Sequence, residues 1–276
     1  MLAVPTILGQ QQITHLTPTA RGGTSLTAGS PGHTKGAWVT VIAQTPYDAH
    51  GIWIAVFGTW GGSSSFGNTQ LVDVAVGPPG GERVIVPNYD ASCVPSPALG
   101  IGNFDPFMTF FPVYVRRGSR IAARNQSSGS GSGASIMIAL EGLPLYAPWG
   151  VGPVVDYGTD LGATRGTAVT PGVNAWGAWT LIGTTSRMHT WWTMGMDHQN
   201  DTTVSSETYL IEIGVGPDGD QQSLGIMRWP IQSLWAQAGG LFPAFLASRP
   251  IPAGTAIWAR MAAATAEPRG VIVYGA

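Results

Sequence analysis

Apolar and polar residues alternate in short runs along this chain. In GAWVTVIAQT, Gly36 to Thr45, the residues Trp38, Thr40, Ile42 and Gln44 fall on one side and Val39, Val41 and Ala43 on the other. Val72, Val74 and Val76 alternate with Asp73 and Ala75; Ile211, Ile213 and Val215 alternate with Glu212 and Gly214. A period of two is the mark of a half-buried antiparallel strand. Turn chemistry closes the runs, as in Gly77-Pro78-Pro79-Gly80-Gly81 and Gly216-Pro217-Asp218-Gly219. Proline presets φ for a turn, and glycine accepts the positive φ that follows. No segment holds three turns of helical period; the best, Gln232 to Ala238, is broken by Gly239-Gly240. Short strands punctuated by Gly and Pro predict an all-β fold of the sandwich or jelly-roll kind.

The pattern is written twice. GAWVTVIAQT returns as GAWTLIGTTS, Gly177 to Ser186, and VDVAVGPPGGE returns as IEIGVGPDGDQ. FPVYV (Phe111 to Val115) meets FPAFL (Phe242 to Leu246), and GSRIAAR (Gly118 to Arg124) meets GTAIWAR (Gly254 to Arg260). The apolar run Ile136 to Leu140 then meets Val271 to Tyr274. Five blocks in one order predict two tandem antiparallel β-sandwich domains related by internal duplication. The expected division is an N-terminal arm over 1–18, a first sandwich over 19–143, a Pro/Gly linker over 144–155 and a second sandwich over 156–276. Trp38 should superpose on Trp179, Val74 on Ile213, and Trp53 on Trp192. SSGSGSG, Ser127 to Gly133, reads as a flexible, exposed hairpin loop.

Charge narrows the function. Asp, Glu, Lys and Arg make up 10 % of the chain and the formal net charge is −2, where soluble domains usually approach a quarter charged. So charge-poor a surface tends to associate, which suits a component of an assembly. Lys35 is the single lysine, and Arg116, Arg117, Arg120 and Arg124 are the sole basic concentration. That set is too small to neutralise a phosphate backbone, so no nucleic-acid partner is expected; Arg116 and Arg117 read as a solvated turn. No run approaches the roughly 20 apolar residues of a membrane-spanning helix, so no membrane insertion is expected. MLAVPTILGQQQ lacks a basic start and is interrupted by Pro5, unlike a signal peptide. Synthesis in a cytoplasm without classical secretion follows as an expectation.

Signatures of catalysis are missing: no GxSxG elbow, P-loop, HExxH or CxxC. Cys93, the one cysteine, reads as a small buried or loop residue. Asp197, His198, Asn200 and Asp201 in MDHQNDTT are residue types that hold cations, yet they are also ordinary loop residues, and no metal or cofactor is assigned. Asp156, Asp160, Glu207 and Glu212 are the acids available for glycoside hydrolysis. Glu212 matches Asp73 in the repeat, so both are expected to face outward on one strand, in a structural pairing or subunit contact rather than catalysis. Tryptophan is in excess, 11 in 276 residues. Trp60, Trp149, Trp176, Trp191, Trp229 and Trp235 have no match in the other copy; subunit packing leads as their role, ahead of core filling and carbohydrate stacking. Candidate assembly contacts are Leu2, Val4, Ile7 and Leu8 of the arm with Trp149, Trp191, Trp229 and Trp235. Candidate glycan contacts are Trp60, Phe66, Asp197, Asn200 and Asp201.

The block TKGAWVTVIAQTPYDAHGIWIAV, then VDVAVGPPGGERVIVPN, then FFPVYVRRGSRIAAR resembles a module of tailed-bacteriophage structural proteins and of the head-spike and fibre proteins of phage-derived gene transfer agents. The second copy departs from it, with Ala-Trp for Thr-Lys before GAW and ASRPIP inserted before Gly254. The motif is framework and carries no catalytic residue. The resemblance implies a non-enzymatic virion protein, on the head or tail, whose partners are copies of itself and other virion proteins. The alternatives are a receptor- or polysaccharide-binding fibre touching a host surface glycan and, behind it, a glycan depolymerase.

Overall fold

The computed structural model describes residues 23–58, 69–91, 108–142, 152–198, 207–231, 240–241 and 245–276. Its described elements are strands, and they form four sheets. The first half holds β1 (Thr24–Thr27), β2 (Val39–Ile42), β3 (Gly51–Gly58), β4 (Gln70–Val76), β5 (Arg83–Asp90), β6 (Thr109–Phe111), β7 (Ile121–Ser127) and β8 (Gly133–Glu141). They pair as β1-β8-β3-β6 and β2-β7-β4-β5. Two four-stranded sheets with these interleaved orders are a jelly roll. Leu26, Ile52, Ile54, Val74, Ile121, Ile136 and Ile138, all buried, fill the space between them.

The second half repeats the plan with β9 (Val155–Tyr157), β10 (Thr167–Val169), β11 (Gly172–Val173), β12 (Thr180–Thr184), β13 (His189–His198), β14 (Glu207–Val215), β15 (Gln222–Ile231), β16 (Gly240–Leu241), β17 (Leu246–Ile251), β18 (Ala256–Ala263) and β19 (Arg269–Gly275). One sheet runs β10-β19-β13-β16, with β9 beside β19 and β17 beside β13; the other runs β11-β18-β14-β15, with β12 on β18. The registers coincide. Val74 stands opposite Ala123 and Ile213 opposite Ala259; both β4–β5 and β14–β15 slip at the next residue, Ala75 and Gly214. Both turns that close those strands place glycine at positive φ, Gly77 and Gly216 near 120° to 130° and Gly80 and Gly219 at 82°, where an L side chain is strained. The all-β, duplicated double sandwich expected from the sequence is present.

Three sequence expectations are corrected by the ladders. Ile52 lies opposite Leu140, and Trp192 lies opposite Gly275 at the same point of the second sheet. Trp53 therefore matches Thr193 instead, one residue out, and a one-residue offset in a strand changes the face. Phe111 pairs with Ile52 as Leu246 pairs with Trp192. The counterpart of FPVYV is thus Leu246–Ile251, and ASRPI of ASRPIP belongs to this strand rather than to an insertion. The segment after Ser127 joins β7 in one sheet to β8 in the other, so it is a crossing and not a hairpin. It is also anchored: Ser127 O accepts from His33 N at 2.7 Å, Ser128 N donates to Thr69 O at 3.0 Å, and Gly131 N donates to Gly29 O at 3.2 Å.

The two sandwiches share a core. Trp191, Ile272, Tyr274, Ala276 and Val154 join the apolar cluster of the first sandwich, while Trp192, Met194, Met196, Val271 and Val273 fill the second. Successive residues of β13 and β19 thus serve different domains, and every residue of β19 is buried. The Tyr274 hydroxyl donates to Asn88 O at 2.6 Å and accepts from Asp90 N at 3.0 Å. A side chain at Gly195 would meet Asp90 Cβ at 2.7 Å, so glycine permits the close approach of β13 to β5.

Candidate functional site

The densest charge in the described residues is a duplicated acid–arginine–tryptophan stack. Asp73 of β4 stands opposite Arg124 of β7, and Glu212 of β14 opposite Arg260 of β18. Arg124 Nε donates to Asp73 Oδ2 at 2.8 Å, and Arg260 Nε to Glu212 Oε2 at 2.7 Å. Each guanidinium lies against the tryptophan that stands just ahead of a neighbouring strand, Arg124 against Trp38 before β2 and Arg260 against Trp179 before β12, both at 4.4 Å from the ring centroid. Trp176 adds a second ring over Arg260 at 4.9 Å. The aromatic face attracts the cation and shields the ion pair from water. Both acids lie on the outer face of their sheets, as expected, but they are 3 % and 5 % exposed. The tryptophan and arginine cover them, which makes the structural pairing the observed role.

The first copy elaborates this stack. Lys35 Nζ donates to Asp73 Oδ1 at 2.9 Å and to Asn88 Oδ1 at 2.6 Å. Asn88 N also donates to Asp73 Oδ1, and Asn88 Nδ2 to Asp156 Oδ2 of the second sandwich at 3.0 Å. Asn88 occupies an additional bulge of β5, at φ 47°, which the second copy lacks. Burial lowers the Lys35 pKa, and the neighbouring Asp73 carboxylate partly offsets that. Two cations and two carboxylates balance here, a condition for holding charge away from water.

The other acids considered for hydrolysis also have framework partners. Asp156 accepts from Thr159 Oγ1 at 2.6 Å, Asp160 from the backbone of Gly162 and Ala163, and Glu207 from Thr265. Asp197 is wholly buried at the end of β13 and accepts from Gly166 N. It therefore cannot meet a sugar, and this glycan candidate is withdrawn. Trp191 is 0 % exposed between the sandwiches and Trp229 is 9 % exposed in the second core. Both are removed from the assembly contacts for the same reason. Trp60, Phe66, Asn200, Asp201, Leu2, Val4, Ile7, Leu8, Trp149 and Trp235 lie outside the described residues, as does Cys93.

A polar groove of about 690 Å³ lies at one corner of the first sandwich, lined by Gln44, Thr45, Pro46, Asp48, Arg116, Arg117 and Gly118. Thr45 organises it. Its hydroxyl donates to Arg116 O at 2.8 Å and accepts from Ser119 N at 3.0 Å, while Thr45 O accepts from Gly118 N at 2.9 Å. Asp48 accepts from Arg117 N at 2.6 Å and from the Tyr114 hydroxyl. The Arg117 amide leads in holding the Asp48 carboxyl below its usual range, with Tyr114 and Arg116 contributing. Tyr114 is 44 % exposed and tilts against His50, ring centroids 5.5 Å apart. Sequence reasoning missed this site. Its signal lay in the repeat, where VRRG of one copy aligns with IPAG of the other.

No protein-family model matches the chain, and no curated protein is matched. Among solved structures the chain is similar to PNGase F, a glycosylasparaginase from Flavobacterium meningosepticum, at 11 % identity and a TM-score of 0.35, over 92 % of this chain and 93 % of that one. So distant a likeness decides neither fold nor chemistry.

Proposed function

We propose that this chain is a non-enzymatic structural protein of a tailed-phage or phage-like particle, held by copies of itself and by neighbouring virion proteins. One observation carries the reading: the matched carboxylates Asp73 and Glu212 of the two described sandwiches are buried and bound into the framework by arginine. The acid–arginine–tryptophan stack occurs at the same register in both copies and joins β4 to β7 and β14 to β18. The shared core joins the two sandwiches through buried apolar contacts, which suits a component held in an assembly. The resemblance of the GAW, VDVAVG and GSRIAAR blocks to phage framework modules supports the same reading, as does a surface poor in charge.

The test is composition. Particles purified from producing cells by density gradient should contain the chain at a fixed copy number by quantitative mass spectrometry, and gold-labelled antibody should decorate intact particles. A chain absent from purified particles refutes the proposal. Release of new reducing ends from host polysaccharide by the purified chain would favour the depolymerase reading instead.

A further inference from the structure

The duplication supplies an internal control for the corner groove. In the second sandwich Thr185 makes the lock that Thr45 makes in the first. Its hydroxyl donates to Pro252 O at 2.7 Å and accepts from Thr255 N at 2.8 Å, and Thr185 O accepts from Gly254 N at 2.8 Å. Ala49 bridges to Val115 as His189 pairs with Ile251. These bonds fix the equivalences: Arg116 stands where Pro252 stands, Arg117 where Ala253, Asp48 where Met188, and Tyr114 where Pro250. The corner folds in both copies, so the backbone requires neither the three charged side chains nor the Tyr114 phenol of the first one.

We propose that this groove binds a carboxylate-bearing saccharide, with Arg116 and Arg117 as the anion-recognising pair. Both arginines are exposed, and neither guanidinium forms an ion pair among the described residues. By contrast Arg120, Arg124, Arg260 and Arg269 are each paired with an acid. A planar guanidinium presents two parallel N–H groups that match a carboxylate. Asp48, oriented by the Arg117 amide, and the Gln44 amide offer acceptors and donors for hydroxyl groups. The Tyr114 ring stands beside them, half open to solvent. A saccharide with one carboxylate per ring uses all of these groups. A nucleic acid does not, because two cations neutralise too few phosphates. The inference concerns the isolated chain and does not depend on its place in a particle.

The experiment titrates the purified full chain with a trisaccharide of galacturonic acid, with the neutral galactose trisaccharide and with inorganic phosphate, each followed by calorimetry and by NMR. An open, shallow groove is expected to bind the acidic trisaccharide at about millimolar strength; the neutral one should bind at least about tenfold more weakly because its charge-assisted bidentate contacts are lost, and phosphate at least about tenfold more weakly because it offers no sugar hydroxyl to Asp48 and Gln44 and no ring to Tyr114. R116P/R117A, which installs the second sandwich's own residues, should abolish binding with the melting temperature unchanged. Arg116→Ala/Arg117→Ala serves if the proline variant does not fold. Arg83→Ala, an exposed arginine on another strand, should bind as the parent does. Equal binding of the neutral sugar or of phosphate, an equal loss in Arg83→Ala, or no saturable binding at tens of millimolar would each overturn the proposal.

Discussion

Trp191 and Trp192 are neighbours in sequence, both 0 % exposed, and they point into different cores. Trp191 meets Phe111 at 5.5 Å and Phe245 at 6.2 Å between ring centroids; Trp192 packs with Met194, Met196 and Ile251 inside the second sandwich. Trp191→Ala should therefore remove part of the bond between sandwiches, whereas Trp192→Ala should damage the second sandwich alone. A buried tryptophan covers roughly 150–250 Å², which at about 25 cal/mol per Å² corresponds to about 4–6 kcal/mol. Alanine keeps a fraction of that contact, and large-to-small changes of this kind cost about 3–5 kcal/mol. For Trp191 the loss falls on coupling. In scanning calorimetry the parent should unfold in one transition, because one apolar cluster spans both halves. Trp191→Ala should show two transitions, with the calorimetric enthalpy above the van't Hoff value. Trp192→Ala should melt earlier, by roughly 10 °C. If Trp191→Ala melts as the parent does, or if Trp192→Ala alone separates the transitions, the assignment of the two faces is wrong.

Other expectations follow from single contacts. His189 is buried beside Tyr157 and Arg187, and burial foremost, with the Arg187 charge, lowers its pKa to about 4. The native state then binds fewer protons than the unfolded state, so stability is complete above the unfolded value near 6.5 and is lost as pH falls towards 4, by at most about 3 kcal/mol. Urea midpoints between pH 7 and 4 should show this slope in the parent and a flatter one in His189→Gln. Asp73→Asn leaves Lys35 and Arg124 without their shared carboxylate and should cost about 3–5 kcal/mol; Glu212→Gln strands a single arginine, itself 28 % exposed, and should cost less in the same urea assay. Gly195→Ala drives a methyl into Asp90 and should destabilise by about 1–3 kcal/mol; equality with the parent would refute that contact.

The alternation of Val72 to Val76 and Ile211 to Val215, the matched turns and the repeated order of blocks determined an all-β, duplicated fold and the parity of β4 and β14, whereas a bulge between Thr40 and Ile42 breaks the alternation read for β2. Parity separates two faces but does not say what covers either. Trp191 read as an assembly contact because it has no match in the other copy; its face points away from its own sandwich, and only the tertiary structure put the first sandwich there. Asp73 and Glu212 read as outward-facing, and an overlying arginine and tryptophan distant in sequence bury them. Trp53 was set against Trp192 from spacing alone, which is blind to the single-residue offset that hydrogen-bond ladders fix. FPVYV and FPAFL share letters, while Leu246–Ile251 shares the pairing partner, and pairing is decided by which strand lies alongside. The corner groove joins residues from both sides of β3 through β6, the turns near Asp48 and Arg117. Arg116 and Arg117 were legible as a solvated turn, and only chain crossing brought Gln44 to Asp48 beside them. Local alternation is encoded within a few residues and can be read directly; burial, register and site assembly depend on contacts far along the chain, which a single sequence does not pair.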